Sequence, residues 1–344
     1  MKIYLVYNLF FIALLVISTI SCAQKKYSSF YIAAWNVENF YDTKDDPATE
    51  DEEFLPYGEK EWTFERYQNK LKNLAKVINL MNDGDGPDIL GLIEVENRIV
   101  LEELTGEYLI DRNYEIIHYD MHDGRGIDNA LIYDADVFKV IESDIYEVKL
   151  SGGAKTRDIL HVNLQSNNGK SFHVFVNHWP SRSGGLAESE FKRIAAAEVL
   201  KKRVDKLFAA DKDAQIIIIG DFNDEPDNVS LSKILGADNF NCVADDASKP
   251  ALLNLAAELD KKNLGTYLYK QNWNMLDQII ISNSFLDNSG WEYKCDSFEI
   301  IKPNFMVTRS GDFKGAAWPT YGGRRYLGGY SDHFPVGSKF IFIK

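Results

Sequence analysis

"IIIIGDFND", residues 216–224, sets four isoleucines against a glycine and then packs two acids and an amide into four positions. The apolar run reads as a core strand. Its far end has two readings. Asp and Asn are ordinary turn formers, because their side chains bond the local backbone. Alternatively, the sheet holds Asp221 and Asn223 rigidly at its carboxyl end, where ligands often sit. Partners elsewhere in the chain decide between them.

The 344 residues are 45% hydrophobic and 26% charged, an ordinary globular composition. No internal repeat, low-complexity tract or long linker divides the chain, so one domain is expected, over residues 23–344. Residues 1–22 read as an export segment: Lys2, an apolar stretch from Ile3 to Ile20, then small residues before Cys22. A membrane-spanning anchor is the rival reading. The placement of Cys22 resembles a bacterial lipoprotein cleavage box. That resemblance implies a lipid-bearing Cys22 holding the domain to a membrane, in the periplasm or at the cell surface. Cys242 and Cys295 remain, free to pair or to stay as buried thiols. The net charge of −14 does not favour long polyanions without a local basic patch or metal ions.

Other strands follow the same plan. "SSFYIAAWNVENF" (28–40) alternates and ends at Asn36. "DILGLIEVEN" (88–97) ends at Glu94 and Glu96. "NALIYDADVFKVIES" reads as strand, turn, strand. "TRDILHVNLQSNNGKSFHVFVNHWPSR" reads as a hairpin turning at 166–169 and ending at His178. "WNMLDQIIIS" is a strand carrying Asp277. Apolar residues at Leu71, Leu74, Ala75 and Ile78 have helical spacing within 64–81, and 187–208 is a second amphipathic helix. Seven acids between Asp42 and Glu53 read as a solvated loop. Few helices and many strands, several in hairpins, predict two mixed sheets packed face to face with helices outside.

The polar residues at strand ends are carboxylates, amides and imidazoles: Asn36, Glu94, His178, Asp221, Asn223, Asp277, Asp332 and His333. No cysteine joins them. Such a set suits Mg²⁺, Mn²⁺ or Ca²⁺ rather than structural zinc. His173 and His178 are five apart, which places them on opposite faces of a strand. GxSxG, HExxH, Walker and Rossmann motifs are absent from the sequence.

In order, "WNVENF", "LIEVEN", "GIDNALIYD", "VNHWPSR", "IIIIGDFND", "MLDQIIIS" and "GYSDHFPV" resemble the motif series of the endonuclease/exonuclease/phosphatase superfamily, the deoxyribonuclease-I-like fold. The resemblance runs from about Ser29 to the C-terminus. It implies an α+β, four-layer αββα sandwich and metal-dependent cleavage of phosphate esters. It makes Glu94 the principal metal ligand, with Asn36 and Asp332 close to the ion. It makes Asp221 and Asn223 the pair that handles the attacking water, His333 the catalytic histidine oriented by Asp277, and His178 the second histidine on the phosphate. Asp221 and His333 are both candidates for the general base. Arg182, Arg324 and Arg325 are candidate phosphate contacts.

The expected protein is therefore an exported, Mg²⁺-dependent phosphoesterase, monomeric, acting on a phosphate ester. A nuclease on extracellular DNA or RNA and a sphingomyelinase-type lipid phosphodiesterase are alternatives within that chemistry. A membrane-anchored binding module without catalysis is the alternative outside it.

Overall fold

The computed structural model describes residues 28–240, 242 and 251–343. The export segment, with Cys22, lies outside the described residues. Among those described, no helix is long and apolar enough to cross a membrane.

Strands numbered along the chain fall into two seven-stranded mixed sheets. The first holds β1 (Ser29–Phe40), β2 (Ile89–Val95), β3 (Tyr114–His118), β4 (Asp128–Asp134), β14 (Gly290–Tyr293), β15 (Glu299–Ile300) and β18 (Val336–Ile343). The second holds β5 (Phe138–Tyr146), β6 (Ile159–Ser166), β7 (Ser171–His178), β8 (Ile216–Asp221), β9 (Ala237–Asn239), β10 (Leu252–Asn254) and β13 (Asp277–Ser282). Two short hairpins stand apart, β11 (Tyr267–Tyr269) with β12 (Asn272–Asn274), and β16 (Tyr321–Gly322) with β17 (Arg325–Tyr326). The pairs β1–β2, β7–β8 and β9–β10 run parallel.

The isoleucine run shows why four layers form. Side chains alternate across a strand. Ile217 and Ile219 enter the core between the sheets, with Phe30, Ile32, Ala34, Ile89 and Ile93. Ile216 and Ile218 face outward, where Ala196, Ala197, Leu200 and Val204 of α3 (Leu186–Ala210) cover them. On the first sheet Tyr31, Ala33 and Trp35 face outward beneath Leu71, Leu74 and Ile78 of α1 (Phe64–Ile78). Each sheet is thus buried on both faces, which gives the expected αββα sandwich. The sheets approach closely at Gly91, where a Cβ would sit 2.7 Å from Ile219 Cδ1.

Helix α1 begins at Thr63, whose hydroxyl accepts the Arg66 amide. It ends at Ile78, three residues before Met81, in a turn where Asn82 and Asp83 take positive φ. Among the described residues, short helices α2 (Arg98–Glu103) and α4 (Ala257–Asp260) complete the set of α-helices. The segment 128–146 is strand, turn, strand, but not a hairpin: β4 and β5 belong to different sheets, so the turn carries the chain across the sandwich. The 166–169 turn does close a hairpin, β6–β7. Cys242 and Cys295 form a disulfide, with Cα atoms 5.7 Å apart.

Candidate active site

The polar strand ends meet at one end of the sandwich. β8 pairs in register with its neighbours so that Asp221 lies opposite Asp277 on one side and His178 on the other. Gly220 permits this. Its φ is +134°, and a Cβ there would fall 2.0 Å from the Asn177 carbonyl oxygen. Beyond it the three polar residues part. The Asn223 amide N–H closes on Asp221 Oδ1 at 2.9 Å, and its side chain donates to the Trp179 carbonyl at 3.0 Å. Asp224 turns away, ion-paired with buried Arg193 at 2.6 Å and accepting from Ser230. The opening stretch therefore carries two residues of the site and one anchor.

On the facing sheet, bulges aim the ligand-type residues. The β1–β2 register shifts between Asn36 and Phe40, and the β2–β4 register shifts between Ile93 and Val95. Glu94 sits in the second bulge with φ 68°, and Glu38, Asn39 and Asn223 are also left-handed. Such backbone costs about 1–3 kcal/mol per residue and clusters at functional sites. The Asn36 side-chain nitrogen donates to Glu94 at 3.3 Å and to Asp221 at 3.1 Å, joining the two sheets. The Asn39 amide donates to the second Glu94 oxygen at 2.8 Å.

His333 Nδ1 lies 2.7 Å from Asp277 Oδ2, across 56 residues of sequence. Tyr267 stacks on the ring at 4.8 Å between centroids. Ser331 locks the loop: its hydroxyl donates to the Asn36 carbonyl at 2.6 Å and accepts the His333 amide at 3.0 Å. The free nitrogen of His333 is 3.9 Å from Asp221, and His178 Nε2 is 3.7 Å from Asp221 and 3.9 Å from Glu94. Asp332 acts electrostatically on both His333 and Glu94, so all eight strand-end residues belong to one neighbourhood.

Charge in this space is unbalanced. Burial would push the His333 imidazole down, but Asp277, Asp221 and Asp332 more than offset it and hold the ring well above its ordinary value. Burial, with Arg157 and Arg125 nearby, holds His178 well below it, so this ring stays neutral. Burial raises the carboxyls of Asp221 and Asp332 to about 6. Glu38, not anticipated from the sequence, rises to about 7, first through burial and then through Asp332. Lys70 is its counterpart. This fully buried lysine of α1 donates to Thr320 and the Tyr330 carbonyl, and burial lowers it to about 8. It lies between Tyr67, Leu71 and Leu74 on the buried face of α1, the signal that could have revealed it.

Asp221, Asp277 and His333 have ligand atoms close enough to share an ion. His333, cationic and bound to Asp277, is nevertheless a poor ligand. Glu94 and Asp332 suit a hard divalent cation better: both offer carboxylate oxygens, and burial together with the charge on Glu94 raises the Asp332 carboxyl. Of the three candidate arginines, Arg182 touches the site at Asn223. Arg182 spends its guanidinium on the Asn223 carbonyl, Asn274 and Asn228. Arg324 is 79% exposed beside Glu59, and Arg325 is exposed on β17.

The model of the endonuclease/exonuclease/phosphatase family matches residues 31–344. No curated protein matches in sequence. Among solved structures, the human nocturnin catalytic domain with a bound sulfate anion is 18% identical, with a TM-score of 0.56, covering 92% of this chain and 94% of that one. The Bacteroides thetaiotaomicron VPI-5482 mannosyl-6-phosphatase is 16% identical, with a TM-score of 0.56, covering 91% and 100%. D. rerio TDP2 in complex with a single-strand DNA product is 14% identical, with a TM-score of 0.55, covering 91% and 99%. At such identities the likeness to these structures is one of fold. The sandwich, its motif-bearing strand ends and the match over almost the whole described chain place this protein in the endonuclease/exonuclease/phosphatase family, enzymes that hydrolyse phosphoric esters.

Proposed function

We propose that this protein is a Mg²⁺-dependent phosphoesterase, exported and tethered by lipid on Cys22, that cleaves its ester by direct attack of water. The observation that carries this reading is the meeting of Asn36, Glu94 and Asp221 with the Asp277–His333 pair at one sandwich end. Relatives named for a mannosyl-6-phosphate activity and for a single-strand DNA product share the fold.

Glu94 and Asp332, with Asn36 between Glu94 and Asp221, would hold the ion. Bound there, such an ion would supply positive charge against the phosphate and the charge developing on it. Asp221 accepts a proton from the attacking water, which the Asn223 side of the loop helps to position. Its raised carboxyl suits it to that exchange near neutral pH. His333, held as a cation by Asp277, donates from its free nitrogen to the phosphate and stabilises the pentacoordinate charge. Neutral His178 adds a hydrogen bond from the neighbouring strand.

Chelation with EDTA should silence hydrolysis of a chromogenic phosphodiester or phosphomonoester, and Mg²⁺ or Mn²⁺ should restore it. Glu94→Ala should prevent recovery while the far-ultraviolet circular dichroism stays that of the wild type. Full activity in EDTA would remove the metal from the mechanism.

A further inference from the structure

Next to the site lies a cavity of 430 Å³, with Arg125, Lys155, Thr156, Arg157 and Lys192 in its wall. Its position follows from one carbonyl. Arg157 Nη2 donates to the Trp179 oxygen at 2.9 Å, and the Asn223 side chain donates to that same oxygen at 3.0 Å. The cavity floor and the water-handling loop therefore grip one peptide unit, directly after His178.

Its charge runs against that of the molecule. Four cations, Arg125, Lys155, Arg157 and Lys192, face two acids, Glu50 and Asp123, on a chain whose net charge is −14. Asp123 is already committed to Arg157 at 3.0 Å and to Arg125 at 3.2 Å. The floor also holds unmet donors. Arg157 is 6% exposed and Thr156 3%, yet Arg157 Nε and Thr156 Oγ1 are buried without a hydrogen-bond partner. Buried polar groups are normally satisfied, so these two atoms are open to a water, an ion or an anionic ligand. Lys155 is exposed and Lys192 half-buried, so the rim is solvent-facing charge over a buried guanidinium.

We propose that this cavity seats a second phosphate of the substrate, adjoining the scissile one, so that the enzyme selects esters bearing two phosphates over esters bearing one. The proposal rests on the phosphoesterase reading of the neighbouring site. The second phosphate has two sources, a small bisphosphorylated molecule or the next linkage of a nucleic-acid strand. The acidic 42–53 loop borders the cavity, with the Glu50 amide bonded to the Gly124 carbonyl at 2.8 Å. That border disfavours a long polyanion.

The test compares kcat/KM for thymidine 5′-(p-nitrophenyl phosphate) with and without a 3′-phosphate, alongside a thymidine trinucleotide ester. The extra phosphate should raise kcat/KM by about tenfold or more, mainly through KM. In Lys155→Ala/Lys192→Ala, where only rim side chains change, that ratio should fall toward one. An advantage on the 3′-phosphate ester assigns a small bisphosphate, and one confined to the trinucleotide assigns a strand. Equal rates on all three esters would overturn the cavity assignment and leave the phosphoesterase standing. If no ester is cut, the phosphoesterase reading fails, and binding alone decides the cavity. Calorimetry in EDTA should then show adenosine 3′,5′-bisphosphate binding about tenfold tighter than adenosine 5′-monophosphate, with the difference lost in the double variant. Equal affinities would overturn it.

Discussion

His333 is held between opposite pressures, burial that would strip its proton and carboxylates that keep it. The 2.7 Å contact with Asp277 makes the two residues one unit. His333→Ala should lower the turnover rate by about 10²–10⁴, the range for a lost acid–base group. Asp277→Asn should also lower it, by removing the charge and favouring the wrong tautomer. The double variant should be little worse than the worse single one, because such a pair is not additive. Multiplicative losses would show that the residues act separately. Residues of this kind were legible because carboxylates and imidazoles are conspicuous after apolar runs. Ser331, Glu38 and Arg157 were not, since their contributions depend on contacts formed across the fold: Ser331 reaches Asn36 over 295 positions, and Arg157 reaches Asp123 over 34.

The strands and two long helices were readable because their periods of two and 3.6 are local. What joins them was not. Nothing in "DADVF" distinguishes a hairpin from a crossing between sheets, and the choice falls to packing of both flanking strands. The bulges at Glu94 and after Asn36 were equally hidden, for they are mismatches between strands, not properties of one. Strand pairing also buries a chain of rings. His161 of β6 lies 2.9 Å from His173 of β7 and 3.2 Å from the Tyr146 hydroxyl of β5, and burial lowers the His161 imidazole to about 4. Above pH 6.5 that ring is neutral whether the chain is folded or not. As pH falls from 6.5 toward 4, the unfolded chain takes up a proton that the folded one refuses, so stability drops across that window. Urea unfolding should show wild type losing up to about 3 kcal/mol more than His161→Gln between pH 7 and pH 4. Equal losses would mean that this ring is not a source of acid lability.

At the scale of the whole molecule, the four layers followed from counting strands and helices, but the pairing of Cys242 with Cys295 did not, because both readings of two cysteines were open. Cys242 follows β9 and Cys295 follows β14, the edge strands of the two sheets, so the disulfide ties one edge of the sandwich across its layers. It spans a sequence separation of 53, and closing such a loop typically adds about 2–4 kcal/mol. Dithiothreitol should lower the urea midpoint accordingly, and an unchanged midpoint would show that the sheets hold without it. Three of the four buried tryptophans among the described residues mark the two ends of the strands. Trp35 donates to the His333 carbonyl and Trp179 to Asn177, both at the catalytic end. Trp291 donates to Ser166 and meets Phe30 edge-on at 4.8 Å. Phe30 precedes Asn36 by six residues of strand, about 20 Å. Of the six tryptophans, three are thus placed as optical probes, two beside the site and one about six residues of strand away from it.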